Sequence, residues 1–119
     1  PGLRSFAGNK VSAKQSTGHG GMLSFELRDG FDAGVRFMKA VKLFSLAENL
    51  GAVESIITHP ASMTHASMPA ELRQKAGIHD GLVRLSVGIE HLDDLKADLM
   101  VGLEAAAPSA RRKAVVATR

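Results

Sequence analysis

Cysteine, tryptophan and tyrosine are all missing from this chain of 119 residues. Without cysteine there is no disulfide, no thiol nucleophile and no thiolate metal site. With five phenylalanines as its whole aromatic content, the core must be built largely from Leu, Val, Ile and Met. No apolar run approaches the length needed to span a bilayer, and no signal-peptide pattern opens the chain. These absences point to a single cytoplasmic domain with no membrane partner. The chain opens on Pro1 rather than Met, and the expectation is that this is not a natural N-terminus.

Excess charge is absent too, once it is located. The formal charge is +3, from fifteen basic and twelve acidic residues. The stretch "PSARRKAVVATR", residues 108–119, holds Arg111, Arg112, Lys113 and Arg119 and no acid. Removing those four from the fifteen leaves eleven basic against twelve acidic residues in the body. The tail reads as a frayed, solvated terminus or as a phosphate-backbone contact. No aromatic interleaves with its charges, so base stacking has no support and no nucleic-acid partner is expected.

What is present is a pattern of short strands and amphipathic helices. Residues 1–18 are polar and glycine-punctuated, with room for a short helix around Asn9–Ser16. "MLSFEL", residues 22–27, alternates as a strand, entered through Gly20-Gly21 and left through the Asp29-Gly30 turn. Asp32 is placed to cap a helix through about Leu46, with Phe37, Met38, Val41 and Phe44 on its apolar stripe. Arg36, Lys39 and Lys42 share its polar side. Ala52–Thr58 reads as a second strand, and Pro69 opens a short helix closed by Gly77. In "LVRLSVGIE", residues 82–90, Val83, Leu85, Val87 and Ile89 alternate with Leu82, Arg84, Ser86 and Gly88, the period of a strand with one buried face. A last helix starts at Asp93 and Asp94, with Leu92, Leu95, Leu99 and Leu103 as its buried stripe. One small sheet with helices packed on a face, an α+β two-layer sandwich, satisfies this order.

Several features invite chemistry and fail for lack of context. His59 and His65 are six positions apart around "PASMT", off one helical turn and with no carboxylate nearby, so they read as ordinary loop histidines rather than metal ligands. "GHGG", residues 18–21, precedes a strand, whereas a phosphate cradle follows one. No nucleophile elbow supports a hydrolase.

Two features remain open. Glu48-Asn49-Leu50-Gly51 sits where a helix gives way to a strand. It reads as a plain helix stop, or as a turn offering backbone N–H groups to a carboxylate and Glu48 to an ammonium. Arg84 lies on the face opposite Val83 and Leu85. Its planar fork suits a carboxylate, and the acceptor is either an internal acid, solvent or a ligand.

"GGMLSFEL", "LAENLGAVESIITHPASMTHASMP" and "GIHDGLVRLSVGIEHLDDLKADL" together resemble the C-terminal region of the trans-sulfuration enzymes, pyridoxal-phosphate-dependent enzymes of cysteine and methionine metabolism. The family includes cystathionine γ-synthase, cystathionine γ-lyase, methionine γ-lyase and homoserine-ester sulfhydrylases. The resemblance covers about Gly20 to Leu103. It implies a mainly antiparallel sheet, as in the C-terminal domain of fold-type I pyridoxal-phosphate enzymes. It also implies that Arg84 binds the α-carboxylate of a sulfur amino acid or an activated homoserine. "AENLG" resembles the family's "AESLGG", with Asn49 in place of Ser and Ala52 in place of the second Gly. Backbone contacts at Asn49 and Leu50 survive that change, while a hydroxyl contact does not. Glu48 matches an acid common in cystathionine-handling members, which points to cystathionine γ-synthase first and γ-lyase next, in methionine biosynthesis and cysteine metabolism. Thr64 matches a threonine at the edge of the active site.

The resemblance also implies what lies elsewhere. Family members hold pyridoxal phosphate on a lysine in a Ser-x-Thr-Lys type motif within a larger N-terminal domain. Lys14, in "VSAKQ", lacks the preceding Thr. The expectation is therefore that residues 1–18 form a linker from that domain, 19–107 form a substrate-positioning domain, and 108–119 form a flexible tail. No catalytic, cofactor-binding or metal-binding residue is expected here, and the chain alone is expected to be inactive and to bind no cofactor. The intact transferase or lyase is expected to be a homotetramer. The other reading is a stand-alone, non-catalytic binding or oligomerisation module derived from the same family.

Overall fold

A computed structural model of the chain describes residues 1–49 and 51–108. Its elements run α1 (Asn9–Gln15), β1 (Met22–Glu26), α2 (Gly30–Ala40), β2 (Ser45–Leu46), β3 (Ile56–Thr58), α3 (Ala70–Lys75), β4 (Leu82–Ser86) and α4 (Leu92–Ala106). The four strands form one sheet in the order β1-β4-β3-β2. Pairings β1–β4 and β4–β3 are antiparallel, and β2–β3 is parallel. The α+β sandwich expected from the sequence is the observed architecture. The expected tail falls outside the described residues from position 109 onward. Among the described residues no helix is long and apolar enough to cross a membrane.

The core lies between the sheet and helices α2 and α4. Val83 and Leu85 of β4 and Ile57 of β3 pack against Ala33 and Phe37 of α2, Val41 and Phe44 beyond it, and Leu95 and Ala106 of α4. Phe25 of β1 meets Phe37 edge to face at 5.5 Å between ring centroids. The helices approach closely because α4 presents Gly102 where a Cβ would lie 2.8 Å from both Phe37 and Val41.

Several expected boundaries move, each for a tertiary reason. The helix assigned to Asp32–Leu46 is shorter: α2 starts at Gly30, so Asp32 sits in its first turn and is not its cap, and it ends at Ala40. Past that point Asp98 of α4 accepts the backbone N–H groups of Lys42, Leu43 and Phe44 at 2.8, 2.9 and 3.2 Å. Those donors are satisfied without another helical turn, and the chain is released into β2, a strand the periodicity did not show. Arg36, expected on a purely polar face, reaches the end of α4 and donates to the carbonyls of Ala105 and Ala106 at 3.3 and 3.0 Å.

The second strand is three residues long, not seven, because Ser55 is claimed from outside the ladder. Its N–H and hydroxyl both donate to the Glu90 carboxylate, at 2.6 and 2.8 Å, and its oxygen accepts from the Gly88 N–H at 2.8 Å. The same ties end β4 at Ser86, so Ile89 is 84% exposed and not on the buried face. In α4 Leu95 is buried as expected and Leu99 packs at the core's edge, but Leu92 and Leu103 are exposed. Their places against the core are taken by the small residues Gly102 and Ala106.

The segment after β3 is pinned by His59, which is fully buried and no ordinary loop histidine. Its ring nitrogens sit 2.8 Å from the Ser62 hydroxyl and 2.7 Å from the Asp80 carbonyl. Asp80 also pairs through its carboxylate with Arg73 of α3, itself buried. Among the described residues no group of three or more metal-ligating side chains occurs.

Candidate substrate-carboxylate site

Arg84 stands mid-sheet in β4, facing Ser24 of β1 on one side and Thr58 of β3 on the other. Side chains alternate across a strand. The burial of Val83 and Leu85 against the helices therefore places Arg84 on the opposite sheet face, where it is half-buried. Its Nη2 donates to the backbone carbonyl of Asn49 at 3.0 Å. Among the described residues it takes part in no ion pair. A guanidinium has five N–H donors in a fixed fork, and a single neutral carbonyl satisfies only part of that capacity.

The segment that supplies this carbonyl is held to the sheet edge. Beyond β2 the ladder weakens, and the Ala47 N–H reaches the Ile57 carbonyl at 3.4 Å. The Thr58 hydroxyl then donates to the Ala47 carbonyl at 2.9 Å. Next in the chain, the Asn49 side-chain oxygen accepts from the Gly51 N–H at 3.3 Å, and Gly51 has a φ of 155°. The segment read from "AENLG" follows a strand and not the helix expected before it, and Leu50 within it lies outside the described residues.

These elements enclose a small cleft of about 170 Å³, lined by Glu48, Asn49, Thr58, Thr64 and Arg84. Four of the five residues singled out from the sequence therefore line one site, and the fifth, Leu50, lies outside the described residues. Thr64 is held by a 2.8 Å contact between its hydroxyl and His65 Nδ1. Glu48 is exposed at the rim. Thr58 was not anticipated. Its signal in the sequence was faint: it alternates with the buried Ile57, but only the cross-strand register puts it beside Arg84. A larger hollow, between the β1–α2 turn and the end of α4, abuts Pro108 and gathers none of the singled-out residues.

Chemically, the cleft offers a fixed cation with unused donors, one carboxylate and two hydroxyls. That set suits a small zwitterion: the guanidinium for a carboxylate and Glu48 for an ammonium. Among the described residues the cleft lining contains no lysine, and so no amine to hold an aldehyde cofactor. Its residues fit a carboxylate-bearing ligand and do not fit pyridoxal phosphate.

The chain belongs to the Cys/Met metabolism PLP-dependent enzyme family, whose model matches residues 1–104. It is 52% identical over 104 residues to an L-methionine gamma-lyase of Fusobacterium nucleatum subsp. polymorphum, covering 87% of this chain and 26% of that protein. It is 54% identical over 104 residues to a cystathionine beta-lyase of Lactococcus lactis subsp. cremoris, covering 87% of this chain and 27% of the relative. A solved cystathionine gamma synthase from Xanthomonas oryzae pv. oryzae, in complex with cystathionine, superposes with a TM-score of 0.79 at 54% identity, over 89% of this chain and 27% of that one. The chain thus spans about a quarter of the length of these relatives. Three differently named reactions lie within a few per cent identity of one another, so overall similarity does not choose among them.

Proposed function

We propose that this chain is the substrate-positioning part of a pyridoxal-phosphate-dependent enzyme acting on a sulfur amino acid or an activated homoserine. One observation carries the reading: a half-buried arginine in mid-sheet, bonded only to a neutral carbonyl among the described residues, opens into a cleft that also holds an acid. Arg84 anchors the α-carboxylate through its unused N–H groups. Glu48 attracts the ammonium end, and Asn49 and Thr64 shape the walls.

Bound cofactor supplies the electron sink for chemistry at the amino acid. In this reading it is carried by a further domain, placed N-terminal to this chain, within the three quarters of the relatives' length that this chain does not cover. Residues 1–18 then serve as a linker, which agrees with α1 burying no side chain. Residues 19–107 form the positioning domain, and the chain by itself is not catalytic. Glu48 favours cystathionine γ-synthase, with γ-lyase next, acting as a cytoplasmic homotetramer.

The test is made on the whole protein that carries this chain. Arg84→Ala is expected to raise KM for the amino-acid substrate, an activated homoserine in the synthase reading and L-cystathionine in the lyase reading, by a factor corresponding to about 2–5 kcal/mol, the usual cost of removing one partner of a desolvated charged hydrogen bond. The absorbance of bound cofactor should not change. Loss of the cofactor, with KM of the remaining active protein unaltered, would make Arg84 a structural residue and overturn the proposal.

A further inference from the structure

We infer that Thr58 is a positioning residue for the carboxylate site, acting through the backbone of residues 47–49 on Arg84. The inference rests on the reading of Arg84 as the carboxylate anchor and adds to it the device that fixes the anchor's direction.

Strands β2 and β3 pair in parallel only as far as Leu46 and Ile57. One residue further on, the backbone bond from Ala47 to Ile57 is stretched to 3.4 Å. At that point the Thr58 hydroxyl takes over, donating to the Ala47 carbonyl at 2.9 Å. Two residues later, the Asn49 carbonyl accepts one arm of Arg84 at 3.0 Å. Thr58 and Arg84 are also direct cross-strand partners. The hydroxyl and the guanidinium therefore grip the same short segment from adjacent strands.

Three properties of Thr58 make this more than sheet packing. It is buried to 3% exposure, so its hydroxyl needs a partner. It shares the cleft wall with Arg84. Its β-branched side chain has restricted χ1 freedom in a strand, which holds the hydroxyl on the Ala47 carbonyl. Removing the hydroxyl leaves that carbonyl without its side-chain donor and leaves the stretched Ala47–Ile57 bond to hold Ala47 to the β3 edge. The Asn49 carbonyl then no longer fixes one arm of the fork, and Arg84 must be oriented again each time a ligand binds. Such a loss weakens ground-state and transition-state binding alike, so it appears in KM and leaves kcat alone.

The experiment compares Thr58→Val, Thr58→Ser and Arg84→Ala in the whole protein with its cofactor bound, measuring kcat and KM for its amino-acid substrate, an activated homoserine in the synthase reading and L-cystathionine in the lyase reading. Valine keeps the shape and deletes the hydroxyl. KM is expected to rise about fivefold to tenfold, the worth of roughly one net hydrogen bond, with kcat within about twofold. Serine is expected to restore KM to near the wild-type value. If Arg84→Ala raises KM while Thr58→Val does not, the positioning role of Thr58 is overturned and the carboxylate anchor stands. If neither variant moves KM, the anchor itself fails, and this inference with it. If Thr58→Val raises KM and serine fails to restore it, the methyl group and not the hydroxyl matters, and the inference is wrong.

Discussion

A Cβ placed on Gly34 would lie 2.3 Å from Nε2 of His59. The buried imidazole therefore packs directly on the backbone of α2, with Phe31 edge-on to it at 5.3 Å. The ring is held at both nitrogens, by Ser62 and by Asp80, and has no cheap direction in which to retreat. Gly34→Ala should accordingly act as overpacking and cost about 1–3 kcal/mol. Urea denaturation of the chain would measure it; an unchanged midpoint would mean that the ring moves freely.

Asp98 replaces the last turn of α2 by taking three successive backbone N–H groups. Hydrogen bonds to a charged group contribute about 1.5–3 kcal/mol, and here several share one carboxylate. Asp98→Ala is expected to destabilise the fold by roughly 2–4 kcal/mol on that basis. Asp98→Asn, which keeps an acceptor oxygen, should lose less. Denaturation midpoints of the two variants, ranked in that order, would check the assignment.

Glu90 links stability to pH. The backbone N–H of Ser55, then its hydroxyl, hold the Glu90 carboxyl below its ordinary value of 4.5. A carboxylate whose folded pKa is depressed contributes stability above its unfolded pKa and loses it as pH falls through the lower, folded value. Stability should therefore decline from about pH 4.5 downward. Glu90→Gln should flatten that part of the stability-against-pH curve. The comparison is urea midpoints across the acid range, and curves of identical slope would contradict the assignment.

Arg84→Lys tests whether charge or geometry matters in the cleft. Lysine keeps a cation but loses the fork that lets one arm hold the Asn49 carbonyl while others face the cleft. In the whole protein, KM for the amino-acid substrate, whether an activated homoserine or L-cystathionine, should rise by about tenfold or more, since one charge-assisted hydrogen bond is worth about 1.5–3 kcal/mol. Bound-cofactor absorbance should be unaltered. A wild-type KM would show that a point charge suffices.

Much of the site could be read in the chain because local patterns encode it. The alternation around Val83 and Leu85 requires Arg84 to face away from the helices. Gly77, with a φ of 75°, ends α3 where expected. The "AENLG" motif and the family resemblance both rest on contiguous residues. The errors fell where a distant side chain overrides a local period. Periodicity through Val41 and Phe44 continues a helix on paper, yet Asp98 ends it. Leu103 keeps the leucine spacing yet lies exposed, because α4 turns Gly102 towards Phe37.

What the sequence determined by itself was the α+β class, the face of β4 on which Arg84 sits and the family to which the chain belongs, since each depends on short-range order along the chain. What only the tertiary structure decided was the company Arg84 keeps. The cleft draws on Glu48 and Asn49, on Thr58, on Thr64 and on Arg84, which meet through the β2–β3–β4 register. A strand's period states which face a side chain takes, but which strand lies beside it is set by the pairing of the whole sheet. For that reason Thr58, one position from a buried isoleucine, became visible as a neighbour of Arg84 only once the sheet was assembled.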